Sequence, residues 1–171
     1  MFGVMTAEAS ARAVSGGPPL WALGVRDLLV LGLAISLVLV DVRARTAGLD
    51  GAPSLALALA AGVAVTLSAF HAHEWGHYLG ARLAGARPRP GRTLRTLFLF
   101  ELDESECSRE QWLAMSAGGY VASVIALGVI ASIVDLSAWS GRITMVLVGL
   151  GVLATFLLEI PITVRVYRRA R

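Results

Sequence analysis

Four long apolar runs, residues 21–40, 54–80, 111–134 and 143–165, divide the chain, and most of its charge lies between them. At about 1.5 Å of rise per residue, roughly 20 apolar residues carry a helix across a bilayer core of about 30 Å. The expected fold is therefore an all-α membrane protein with four transmembrane helices. Composition agrees: 56% of residues are hydrophobic and 16% charged, with mean hydropathy +0.70, far from the balance of a soluble domain. Residues 1–20, which contain "SGGPP", read as a flexible cytoplasmic leader, and residues 21–171 as a single membrane domain. The first run differs from a secretory signal because its apolar stretch continues outward through "WALGVRD" and "DVRARTAG" is a poor cleavage site. A retained anchor is expected.

Charge placement gives an orientation. All 15 cationic side chains are arginine. Four spans put both termini and the connection between spans two and three on one side, with Arg12, Arg26, Arg82, Arg87, Arg89, Arg92, Arg95, Arg109, Arg165, Arg168, Arg169 and Arg171. The other side holds only Arg43, Arg45 and Arg142. The positive-inside rule then makes both termini cytoplasmic. Arginines interleaved with apolar spans do not form the aromatic-laced basic face of a nucleic-acid binder, so nucleic acid is not an expected partner. Trp21, Trp112 and Trp139 lie near span ends, where they can anchor at the interface or simply pack. One cysteine, Cys107, excludes an internal disulfide and any multi-cysteine metal site.

The second span ends in "FHAHEWGHYLGAR". Here His73, Glu74 and His77 form H-E-x-x-H, and on a helix the two histidines lie about 40° apart on one face, able to share a metal ion. Glu74 lies about 100° round from His73, in reach of a water on that metal without occupying a coordination position. Three polar groups satisfying one another inside a bundle is the alternative. Ionisable groups in a span each cost about 2.5–3.5 kcal/mol on insertion scales, which favours a functional cluster. His71 lies about 200° from His73 and is expected to be structural or to support a ligand from behind.

"HEWGHYLGAR" resembles the H-E-x-G-H motif of the site-2 protease family, intramembrane zinc metalloproteases that cut substrates within or beside a membrane span. The resemblance implies a three-span core, here residues 54–168, with a short hairpin or re-entrant loop between spans two and three. It also implies one zinc ion, His73 and His77 as ligands and Glu74 as catalytic base. Gly119 and Ser123 in "AGGYVAS" match the family's G-x-x-x-(N/S/G) pattern, which serves substrate binding or core packing.

The family's third ligand is an Asp in an Asp-Gly pair on the last core span, and this chain has no such pair there. Glu159 in "FLLEIPITVRV" is the only acid of that span. His73 and His77 stand 19 and 23 residues beyond Ser54, and Glu159 stands 17 beyond Arg142 on a parallel span, so all three fall within about 9 Å of depth. A His, His, Glu set suits zinc. Otherwise Glu159 bonds a neighbouring helix in its protonated form or pairs with Arg165. Pro161 is expected to kink or loosen the helix beside it.

Between spans two and three, "TLFLFEL" reads as a short apolar strand, which can present an unwound substrate or dip Leu97, Phe98, Leu99 and Phe100 into lipid. Glu101, Asp103, Glu104 and Glu106 read as solvated charges, with one of them reaching the nearby metal as the alternative. Cys107 among these acids is not expected to be a nucleophile. The expected function is regulated intramembrane proteolysis by a zinc metalloendopeptidase; the alternative is a non-catalytic protease-like membrane scaffold, with or without zinc. Expected partners are a membrane-spanning protein substrate, such as an anti-sigma factor or signal-peptide remnant, and the lipid bilayer. A membrane regulatory partner or homo-oligomer is a further candidate, and a bacterial cell membrane the expected location.

Overall fold

The computed structural model describes residues 17–103 and 107–169. They form helices α1 (Leu20–Thr46), α2 (Ala52–Leu83), α3 (Arg109–Ile133) and α4 (Trp139–Arg169), with a two-stranded sheet between α2 and α3. Most of the expected leader, residues 1–16, lies outside the described residues, and Leu20 already belongs to α1.

Local sequence explains the helix ends. Gly48 and Gly85, at φ 80° and 79°, each follow a helix in a conformation that other L-residues adopt at a cost. In each case two backbone bonds fold back: Leu49 N–H to Ala44 O and Gly48 N–H to Arg45 O, then Ala86 N–H to Ala81 O and Gly85 N–H to Arg82 O. Pro53 sits in the first turn of α2, where its missing N–H costs no helical bond. Ser108 and Gln111 cap α3 reciprocally, each side chain accepting the other's backbone N–H. α1 outruns its apolar stretch because Asp41 and Arg45, one turn apart, pair at 3.0 Å and carry the helix on to Thr46.

α2 packs against the other three helices. Its crossing with α3 depends on Gly76 and Gly80: a Cβ at Gly76 would lie 2.4 Å from Gly118 O, and one at Gly80 2.2 Å from Ala114 O. Small residues four apart therefore let the backbones touch. Outward faces are apolar, with Leu28, Leu29, Leu33, Leu157 and Leu158 all more than half exposed. By length and composition, all four helices can cross a membrane.

One alternative left open by the sequence is resolved, and one expectation needs correction. Trp21 and Trp139 are exposed, but Trp112 is buried with Ala81, Ala86 and Met115, so it packs rather than anchors. The strand expected over "TLFLFEL" shrinks to Phe100–Glu101, paired antiparallel with Arg89–Pro90. Pro88 and Pro90 deny the opposing strand two donors, and neighbouring loop groups bond side chains instead of a ladder. Leu99 is fully buried and Phe100 half-buried, while Leu97 and Phe98 are exposed. α4 continues as helix through Pro161, which has no N–H to offer the Leu157 carbonyl one turn back.

Candidate metal centre

His73 and His77, one turn apart on α2, are buried toward α3 and α4, with ring centroids 4.2 Å apart. Glu159 on α4 meets both: Oε1 is 3.0 Å from His73 Nε2, and Oε2 is 3.2 Å from His77 Nε2. One ligand atom from each of the three lies within 4.8 Å of the others. Glu159 is thus level with the histidines, as the residue count along the parallel spans places it, and its carboxylate turns to them rather than to Arg165.

The far side of each imidazole fixes its chemistry. His73 Nδ1 lies 2.9 Å from both Gly119 O and Ser123 Oγ, and His77 Nδ1 lies 2.8 Å from Met115 O. A carbonyl only accepts, so each Nδ1 carries hydrogen and donates. In the neutral rings, both Nε2 lone pairs then face a carboxylate, an arrangement of acceptors alone. A cation among them relieves the conflict, either protons on the two Nε2 atoms or one metal ion. Bonds of about 2.0–2.1 Å at tetrahedral angles separate ligand atoms by about 3.3 Å; here the 3.0 and 3.2 Å contacts reach different carboxylate oxygens, and one ligand atom from each residue lies within 4.8 Å of the others. Two imidazoles braced from behind and a carboxylate therefore fit a metal, without selecting zinc over other divalent transition ions.

Gly119 and Ser123 are part of this arrangement. A Cβ at Gly119 would lie 2.2 Å from His77 Cε1, so the ring occupies the space that any side chain there would fill. Ser123 is buried against His73. Below them Tyr120 OH bonds Thr163 Oγ1 at 3.0 Å, and Thr163 bonds Ser116 Oγ at 3.1 Å, tying α4 to α3.

Glu74 is buried and stands apart from the three-atom cluster, within electrostatic reach of His77, His73 and Glu159. Its Oε2 accepts the Leu99 N–H at 3.1 Å, so the loop backbone lies directly on this carboxylate. The loop is also held by Arg26 of α1, which donates to the carbonyls of Leu94 and Thr96.

His71 turns away from the cluster toward α1. Its Nδ1 lies 3.2 Å from Asp27 Oδ1 but off the axis that a hydrogen bond needs. Asp27 is buried and also receives Arg26 Nε at 2.7 Å and Trp75 Nε1 at 2.9 Å. Sequence reasoning passed over Asp27, although an acid within an apolar run carries the cost that drew attention to Glu159. Leu99 offers a backbone N–H, which no residue type announces. Among the acids of the loop, Glu101 pairs with Arg92 at the surface, while Glu104 and Glu106 lie outside the described residues. Cys107 is half-buried.

Among the described residues, fold and site together define a bundle of four helices long and apolar enough to cross a membrane, with a cluster of two buried histidines and a half-buried glutamate. Among known proteins, no family model, curated protein or solved structure matches the chain.

Proposed function

We propose that this protein is an intramembrane zinc metalloprotease resembling the site-2 family, cutting membrane-anchored substrates within or near their spans. The observation that carries the reading is the convergence of His73, His77 and Glu159, with Glu74 one residue from the first ligand and outside the ligand set. When bound, zinc would supply a Lewis acid for the scissile carbonyl and a water acidic near neutral pH. The chain's own residues do the rest. Gly119, Ser123 and Met115 hold the imidazoles so that both Nε2 atoms face inward. Glu74 accepts a proton from the attacking water on its carboxylate and returns it to the leaving nitrogen. The loop beside Glu74 offers backbone to an unwound substrate, because a peptide bond inside an intact helix has its carbonyl covered. With the arginine-rich side inward, both termini are cytoplasmic in a bacterial cell membrane.

One observation favours the second reading, a non-catalytic scaffold: the Leu99 N–H already occupies Glu74 Oε2. A loop bond of that kind is also what substrate entry displaces. The two readings separate by metal-dependent cleavage, which a scaffold lacks. Purified protein in liposomes with a span-containing substrate is expected to lose cleavage on chelation and regain it with one equivalent of zinc. Cleavage indifferent to chelation would contradict a metalloprotease.

A further inference from the structure

A cavity of about 260 Å³ lies beside His73, between α2, α3 and α4 and against loop residue Leu97. Its walls include Phe70, Ala126, Val148, Gly151 and Thr155. On α4 it runs from Thr155, one turn before Glu159, back to Val148, about 10 Å along the helix. The cavity is therefore a slot that starts at the metal cluster and extends toward the N-terminal ends of α2 and α4.

Its lining is mostly apolar. Of its three hydroxyls, Thr66 donates to Gly62 O and Ser123 Oγ accepts from His73 Nδ1, and the other walls are almost all apolar. Pockets that enclose whole small molecules occupy about 300–1,000 Å³, so 260 Å³ suits a side chain better than a separate ligand. Because His73 forms one end, whatever fills the slot sits next to the reacting bond.

We propose that the slot is a specificity pocket that receives a bulky apolar side chain, of the leucine or phenylalanine kind, from a residue flanking the bond that is cut. The assignment rests on the protease reading and adds to it a class of substrate. Gly151 sets the width: a Cβ there would meet Thr66 Cγ2 at 3.5 Å, an ordinary contact, so Gly151→Ala fits without strain and a larger residue fills the slot.

The test uses the full-length protein in liposomes and span-containing peptides that differ only in Ala, Leu or Phe at each position flanking the mapped cut. Wild type is expected to favour Leu or Phe over Ala by about 10-fold or more in kcat/KM at one of these positions. Gly151→Ala should narrow that preference and Gly151→Leu reverse it; Ala126→Leu provides an independent filling variant if Gly151→Leu does not fold. In parallel, the affinity of the same peptides for Glu74→Gln protein is measured by fluorescence. Efficient cleavage without side-chain preference, unchanged by the filling variants, overturns the slot while leaving the protease intact. Tighter binding of Leu and Phe peptides, abolished by the filling variants but without cleavage by wild type, keeps the slot and overturns the protease. Equal binding of all peptides without cleavage overturns both.

Discussion

Glu74→Gln is expected to keep its zinc and to cleave membrane-spanning substrates about 10²–10⁴-fold more slowly than wild type, the usual range for loss of a positioned general base. Glutamine has the shape of glutamate, and its amide oxygen can still accept the Leu99 N–H that Glu74 Oε2 holds at 3.1 Å. The cluster atoms belong to His73, His77 and Glu159, so metal content should be unchanged. What disappears is the ability to take a proton. Metal analysis by mass spectrometry beside a cleavage time course reads both halves of the expectation. Full zinc with undiminished cleavage would remove Glu74 from the chemistry, whereas lost zinc would mean that Glu74 serves as a ligand.

Glu159→Ala is expected to have the converse effect, weakening zinc binding by more than the roughly 10–100-fold penalty for losing a group behind a ligand. The carboxylate is the only anionic member of the cluster, and it spans both Nε2 atoms at 3.0 and 3.2 Å. Without it, two neutral imidazoles face each other across the site. Glu159→Asp shortens the reach by one methylene, so its affinity should fall between wild type and Glu159→Ala. Competition against a zinc-sensitive dye would measure the series. Unchanged affinity in Glu159→Ala would take this residue out of the ligand set and leave His73 and His77 in need of another partner.

The helices, the metal cluster and the loop differ in how far the sequence encodes them, for physical reasons. Apolar runs of bilayer length marked all four helices, because helix length and hydrocarbon thickness are tied by a fixed rise. His73 and His77 announced a shared face by their spacing, and Glu159 could be placed by counting residues along a parallel helix. Such counting gives depth but not rotation about the helix axis. It could show that Glu159 and the histidines are level, not that Gly119, Ser123 and Met115 would take their Nδ1 atoms. Asp27, His71 and Trp75 come together across the α1–α2 contact, which no spacing within one helix encodes. The loop was the hardest part to read. "TLFLFEL" has strand-forming residues, but Arg26 takes the Leu94 and Thr96 carbonyls and Glu74 takes the Leu99 N–H, so side chains replace most of the expected ladder.

The most direct measurement is to reconstitute purified wild-type protein with a panel of single-span substrates and locate any cut by mass spectrometry. The proposed chemistry predicts zinc-dependent products whose new ends lie within or beside the substrate's membrane span. An intact panel at full zinc occupancy, or cuts confined to soluble segments far from the membrane, would contradict it.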